Sequence, residues 1–167
     1  MDPNVTVGPL AISRQKDKLL KQIRKSIDRD GGSLAYGNLD YEHSDPLLKN
    51  GNFVEPMVVE GINTDSKSWH EEFFGPVFNL YKASSQKHAL DLANKSDFGL
   101  SSAVFTENEE KLLHASERLR TGTVFLNDIS TTAPDFPSGG IKGSGFGREC
   151  FSDGLHEISN RKVIIRP

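Results

Sequence analysis

Short strand-like segments alternate with helix-like segments along most of this 167-residue chain. The strand-like segments are rich in β-branched and aromatic residues and lie at residues 34–36, 53–60, 77–83, 101–106 and 123–127. The helix-like segments carry apolar residues at helical spacing and lie at residues 13–30, 85–95 and 107–119. Such alternation indicates parallel βαβ units, so the sequence predicts an α/β fold whose parallel sheet is covered on both faces.

Local signals set the expected ends of these elements. We expect Ser13 to cap the first helix and Thr106 the third, since both residue types accept hydrogen bonds from free amides. Pro56 favours an edge position or a bulge for the second strand. The opening ten residues, which include Pro3, should be irregular, and residues 162–166 should form a terminal strand with an edge open to another chain.

Composition excludes several classes of protein. A chain of this length can form one domain with a substantial core. The net charge of −3, without a long block of one sign, argues against a nucleic-acid partner. No apolar run reaches the ~20 residues of a membrane span, and the N-terminus does not resemble a secretory signal. We therefore expect a protein that is not secreted, in the cytoplasm or the mitochondrial matrix.

Metal and thiol chemistry find little support. The single cysteine, Cys150, excludes an internal disulfide, and the five histidines form no close ligand pair, so we expect no metal. Arg148 could favour the Cys150 thiolate, but Glu149 opposes it and no histidine is near in sequence. A small packing residue is the interpretation of Cys150 that we prefer.

The first helix has a basic polar face, and we expect it to cover a sheet rather than a membrane surface.

The stretch Glu71-Glu72-Phe73-Phe74-Gly75-Pro76-Val77 places two acidic residues and two aromatics at the entrance to a strand. Ligand sites of open α/β sheets gather at strand ends, so Glu72 could be a general base or accept a hydrogen bond from a ligand hydroxyl. It could equally be a solvated charge. Farther along, residues 139–149 form a glycine cluster in a long loop, but the spacing of the glycines fits no phosphate-binding motif. A loop lining a cleft, a structural turn and phosphate cradling all remain open.

The Glu71-to-Val77 stretch resembles the E-E-x-F-G-P-V motif of the aldehyde dehydrogenase superfamily. Further matches follow in order along the chain: Val7-Gly8-Pro9-Leu10, Ala93-Asn94, Phe98-Gly99-Leu100, Gly122-Thr123-Val124 with Asn127, and the glycine cluster from Gly139 to Glu149. The resemblance covers essentially the whole chain. It implies the C-terminal portion of the family's catalytic domain over residues 1–158, with an oligomerisation strand over residues 159–167.

The resemblance also implies site residues. Glu72 matches the carboxylate that accepts hydrogen bonds from the nicotinamide ribose of NAD or NADP, and Phe74 matches the aromatic beside the nicotinamide ring. The loop from Asp128 to Ser138, which includes Thr132, matches the loop that lines the aldehyde tunnel. Many family members have an aromatic where this chain has Ser138, which suggests a small or polar aldehyde. A neighbouring subunit or a partner chain is the expected partner of the terminal strand.

In this family the nucleophilic cysteine, the general base, the oxyanion asparagine and the cofactor domain lie upstream of the matched region, and Cys150 does not correspond to the nucleophile. Two hypotheses follow. The chain is part of an NAD(P)-dependent aldehyde dehydrogenase and is inactive alone, or it is a degenerate fragment recruited as a structural or interaction subunit. The retained Glu72 and Phe74 favour the first hypothesis, and Met1 as an apparent start favours the second.

Overall fold

The computed structural model describes residues 5–167, and Pro3 lies outside them. The chain divides into two compact units, residues 1–82 and residues 83–167. Both units contain the helices and short strands that the sequence predicts, but in each unit some strands follow one another without a helix between them. The proposed division of the chain after residue 158 remains a prediction.

The first unit is a three-stranded sheet with one long helix. Helix α1 spans Ser13–Arg29, and the strands are β1 (Ser33–Tyr36), β2 (Met57–Glu60) and β3 (Val77–Leu80). The strand order is β1-β2-β3, with β1 antiparallel and β3 parallel to β2, so that Met57 lies opposite Val77. A 3-10 helix, Lys67–His70, precedes the stretch that leads into β3.

The core of this unit lies between α1 and the sheet. Leu19 and Ile23 of α1 are buried in one cluster with Met57 and Val59 of β2 and with Phe73. Burial of each such side chain contributes about 1.5–3 kcal/mol to stability. Most of the basic residues of α1 stay exposed, whereas Lys16 and Lys25 are half-buried. The prediction that the first helix covers a sheet is therefore confirmed.

The second unit contains three helices and two pairs of strands. Its elements are α2 (Gln86–Lys95), β4 (Phe98–Gly99), β5 (Ser101–Val104), α3 (Glu109–Arg118), β6 (Thr123–Leu126), β7 (Ile141–Lys142) and α4 (Phe151–Glu157). Strands β5 and β6 are parallel and flank α3, which buries Leu112 and Ala115. Strands β4 and β7 are antiparallel.

Both predicted helix caps are wrong. Ile12 occupies the cap position of α1 without a side-chain hydrogen bond, because Ser13 is already the first helical residue. Helix α3 begins later than expected, and Asn108 is its cap, with Oδ1 accepting from the amide of Lys111 at 2.9 Å. Thr106 instead accepts a hydrogen bond from the amide of Asn108, at 3.2 Å.

The predicted strand arrangement also needs correction. Three small sheets replace one parallel sheet, and two of the strand pairs are antiparallel. Strand β2 is central and begins only after Pro56, whose missing N–H therefore costs no ladder bond. Residues 162–166 form no strand, since no strand within residues 5–167 pairs with them. Within residues 5–167, no helix is long and apolar enough to cross a membrane.

Candidate functional site

The stretch before β3 alternates between inward and outward side chains. Phe73 is 9% exposed and belongs to the core, whereas Phe74 is 66% exposed. Glu71 is half-buried and Glu72 is exposed. The extended backbone therefore presents Glu72 and Phe74 outward, while Glu71 and Phe73 hold the stretch against the unit.

Glu71 fastens this stretch to α1. One oxygen, Oε1, lies 3.3 Å from Lys25 Nζ and 3.9 Å from Lys67 Nζ. The other, Oε2, accepts a hydrogen bond of 3.3 Å from Gln22 Nε2. Because Glu71 is partly shielded from solvent, these contacts are stronger than those of a fully exposed ion pair. Glu71 is thus a structural residue, and Glu72 is left available.

Helix α1 also holds the backbone beneath the two outward side chains. Gln22 Nε2 donates to the carbonyl of Glu72 at 3.4 Å, and Gln15 Nε2 donates to the carbonyl of Phe74 at 3.1 Å. Within the part of the chain that the structure describes, the Glu72 carboxylate makes no hydrogen bond or ion pair. The result is a positioned backbone that carries a carboxylate free to accept hydrogen bonds and a ring free to stack.

The Gly-Pro pair closes the stretch against the core. A Cβ on Gly75 would lie 2.3 Å from Leu19 Cδ2, so a larger residue would force the buried Leu19 side chain or the backbone to shift. The carbonyl of Pro76 accepts from the amide of Met57 at 2.9 Å, which begins the pairing of β3 with β2. Gly75 and Pro76 therefore fix where the outward-facing segment ends.

The three predicted substrate residues follow β6 in the second unit. Asp128 is exposed, and its Oδ1 accepts from the amide of Ile129 at 2.8 Å. Thr132 is exposed, and Ser138 is half-buried. Ser138 is held by a pair of backbone bonds to Glu149, at 2.9 and 2.8 Å. No hydrogen bond links Asp128, Thr132 and Ser138 to one another within residues 5–167, and their assignment to a substrate site stays a prediction.

The glycine cluster is held by hydrogen bonds within itself and to Asp97. The amides of Gly143, Ser144 and Gly145 all donate to carbonyls of the chain, at 2.8, 3.2 and 3.4 Å. Arg148 Nη1 donates to the carbonyls of Gly140 and Gly147, at 3.2 and 2.6 Å. The contacts of these residues favour a structural turn over a phosphate cradle, because donors that would face an anion already bind carbonyls.

Two asparagines have structural roles that the sequence analysis did not identify. Asn127, at φ 54°, exchanges two hydrogen bonds with the backbone of Thr106, at 2.9 and 3.0 Å, and so extends the pairing of β5 with β6. Asn94 donates to the carbonyl of Arg118 at 2.8 Å and accepts from the amide of Arg120 at 2.7 Å. The sequence signal for Asn127 is its residue type, since asparagine tolerates positive φ better than most residues.

Cys150 is half-buried and lies just before α4 with φ 63° and ψ 169°. Its thiol makes no hydrogen bond within residues 5–167. Nothing in these contacts activates a nucleophile there. Elsewhere in the chain, burial raises the pKa of Tyr81 above its ordinary value of 10.0. Tyr81 packs edge-on against Trp69, with ring centroids 4.5 Å apart.

The chain is similar to known proteins over nearly its whole length. Residues 1–164 match the model of the Aldehyde dehydrogenase family. Succinate-semialdehyde dehydrogenase [NADP(+)] of Deinococcus radiodurans is 37% identical over 98% of the chain, and chloroplastic betaine aldehyde dehydrogenase of Beta vulgaris is 37% identical over 95%. The chain covers 33% and 31% of these two proteins, so it spans about a third of the curated relatives that it matches.

Solved structures give the same result for the fold. Succinic semialdehyde dehydrogenase from Streptococcus pyogenes, in complex with NADP+, matches all of the chain with a TM-score of 0.90 and 35% identity. Betaine aldehyde dehydrogenase from Staphylococcus aureus, in complex with NAD+, matches 94% of the chain with a TM-score of 0.85 and 32% identity. The chain covers 35% and 31% of those proteins. The α/β class predicted from the sequence is confirmed.

Proposed function

The chain belongs to the aldehyde dehydrogenase family, and from this membership we propose that it is part of an NAD(P)-dependent enzyme that oxidises an aldehyde to a carboxylic acid. It forms the C-terminal part of the catalytic region and is inactive alone. The extent of the similarity supports this proposal, since the chain matches about a third of relatives that are named as dehydrogenases of this kind.

The free carboxylate of Glu72 beside an exposed Phe74 is the observation that carries the proposal. An unengaged carboxylate accepts two hydrogen bonds well, and a ribose offers two neighbouring hydroxyls. An exposed aromatic ring provides a flat apolar surface for a nicotinamide. These residues therefore fit the dinucleotide that the family uses, which accepts a hydride from the substrate when it is bound.

The chain's own contribution is to position that cofactor. Glu72 would hold the ribose and Phe74 would limit the movement of the adjoining ring. Glu71, Gln22 and Gln15 would keep both groups in place through their contacts with α1 and with the backbone. A misplaced ring lowers the rate of hydride transfer steeply, so the rigidity of this stretch matters to catalysis.

For the substrate we propose a small or polar aldehyde. Ser138 is smaller and more polar than the aromatic found there in many family members, and Asp128 and Thr132 lie exposed on the same loop. Two relatives are named for succinate semialdehyde and betaine aldehyde, which are small aldehydes with a charged group. The combination favours a polar substrate over a long apolar one.

The last nine residues support a proposal about assembly. Val163, Ile164 and Ile165 are 82%, 80% and 85% exposed, and no strand within residues 5–167 pairs with them. An exposed apolar run of this kind favours pairing with a strand of another subunit. The protein would then be an oligomer. We also propose, from the sequence alone, a location in the cytoplasm or the mitochondrial matrix.

Two measurements test the proposal. The pure 167-residue chain, mixed with NAD+ or NADP+ and either succinate semialdehyde or betaine aldehyde, should show no turnover; steady reduction of the cofactor would refute inactivity alone. Native mass measurement of material from its source should then find the chain together with a nucleophilic cysteine and a cofactor domain. A large assembly of unrelated proteins would instead support recruitment as a structural subunit.

A further inference from the structure

A cleft of about 450 Å³ opens between α2 and α3, within the second unit. Its wall on α2 includes Lys87, Asp91 and Asn94, whose spacing of four and three residues places them on one face of the helix. On the other side it is lined by His114 and Arg118 of α3, and by Arg120 just beyond that helix. None of these residues belongs to the proposed cofactor or substrate site.

The cleft has an excess of positive charge. Lys87 and Asp91 neutralise each other through an ion pair of 2.6 Å. The guanidinium groups of Arg118 and Arg120 are exposed and make no hydrogen bond or ion pair in the described part of the chain. Two uncompensated cations therefore line one cleft, although the whole chain has a net charge of −3.

The end of α3 is arranged so that it opposes an anion only weakly. Free carbonyls at the C-terminal end of a helix repel negative charge. Here the carbonyls of Ala115 and Arg118, both in the last turn, already accept hydrogen bonds, from the amide of Leu119 and the side chain of Asn94, at 3.0 and 2.8 Å. Their partial negative charges are thus largely engaged before any ligand arrives.

Asn94 also fixes the backbone of Arg118 and Arg120 relative to each other. Its side-chain amide donates to the carbonyl of Arg118 and accepts from the amide of Arg120 at 2.7 Å, so one half-buried group fixes the backbone at both residues. Guanidinium groups bind phosphate oxygens in a forked, two-bond geometry, for which fixed backbone positions are an advantage.

We propose that this cleft binds a phosphate-bearing small molecule. Arg118 and Arg120 would bind the phosphate oxygens, and Leu90, which is half-buried in the wall, would contact an attached organic group. The volume lies within the range of roughly 300–1,000 Å³ that is typical of small-molecule sites. The proposal does not depend on the cofactor site, because it uses none of the same residues.

The test is a titration of the isotope-labelled chain with pyrophosphate at constant ionic strength, followed through backbone amide resonances. Shifts should be confined to residues 86–95 and 111–120. Arg118→Gln and Arg120→Gln should each weaken binding about tenfold or more, since each removes a charged hydrogen-bond donor. Both side chains are exposed, so the variants should stay folded, which circular dichroism would verify.

Arg161→Gln is the matched control, because Arg161 is exposed and lies outside the cleft. It should leave the affinity for pyrophosphate unchanged. If Arg161→Gln lowers the affinity as much as Arg118→Gln or Arg120→Gln does, the binding is a general attraction between charges, and the proposal is overturned. Absence of shifts in the two helices would overturn it as well. Adenosine monophosphate should bind more tightly than inorganic phosphate, because Leu90 would contact its organic group; equal affinities would overturn that contact and identify a site for the free anion instead.

Discussion

Replacement of Gly75 by alanine tests how closely the outward-facing stretch is held against α1. The added Cβ would lie 2.3 Å from Cδ2 of Leu19, a residue that is 1% exposed. Carbon atoms in contact stay about 3.5–4.0 Å apart, so Leu19 or the backbone must move by more than about 1 Å. Overpacking of this kind in a filled core costs about 1–3 kcal/mol of unfolding free energy.

Trp69 provides the assay for this substitution. It is the only tryptophan of the chain, and it packs against Tyr81 in the same unit as Gly75. Its fluorescence during denaturation by urea therefore reports on the unit in which Gly75 lies. We expect Gly75→Ala to lower the midpoint of the transition without a large change in its slope.

Gly8→Ala is the control for the change of residue type. A Cβ on Gly8 would meet no atom within 4 Å, and Gly8 lies in the same unit. This variant should have a free energy of unfolding within about 0.5 kcal/mol of the original chain. If both alanine variants unfold at the same urea concentration, the close contact between Gly75 and Leu19 does not exist in solution, and Gly75 does not hold the stretch against α1.

The remaining predictions concern single side chains. Cys150→Gly should stabilise the second unit by about 1–2 kcal/mol in denaturant unfolding, because glycine adopts the positive φ of this position without strain, whereas Cys150→Ala should not. If the two variants change the free energy of unfolding equally, the backbone at Cys150 is not strained. Burial raises the pKa of Tyr81 in the folded state. The contribution of Tyr81 to stability is therefore complete below pH 10.0, and it is lost as the pH rises through the pKa of Tyr81 in the folded state. The tyrosinate absorbance that Tyr81→Phe removes should therefore appear above pH 10.0, and its appearance at or below that pH would contradict the burial. In the active enzyme, Ser138→Phe should weaken the use of polar aldehydes relative to apolar ones in kcat/KM, and an unchanged preference would refute the role of Ser138.

Much of the fold follows from local sequence pattern. The 3.6-residue spacing of Leu19, Ile23 and Ile27 predicts both the position of α1 and the face that it buries. The helix caps are less predictable, because Thr106 and Asn108 are both good caps and only the start of the helix decides between them. Which strands pair into one sheet depends on residues far apart in the chain, and local sequence pattern does not reveal such pairs. For this reason one sheet was predicted where the structure has three small ones.

The candidate site is predictable to a similar degree. Residue type and motif resemblance identify Glu72 and Phe74, and the structure places both on the exposed side of the stretch before β3. The fastening role of Glu71 is beyond sequence reasoning, since its partners Lys25 and Gln22 lie 46 and 49 residues away in the chain. Only the folded structure shows that Glu71 holds the stretch in place while the carboxylate of Glu72 stays exposed.

Steady-state kinetics of a Glu72→Gln variant of the active enzyme tests the central claim most directly. Glutamine preserves size but removes the charge that would accept hydrogen bonds from the ribose, so the KM for NAD+ or NADP+ should rise about tenfold or more. Glu60→Gln, at an exposed position in the same unit, should leave it unchanged. If the KM for the cofactor is the same in the Glu72→Gln variant as in the unmodified enzyme, Glu72 does not bind the ribose.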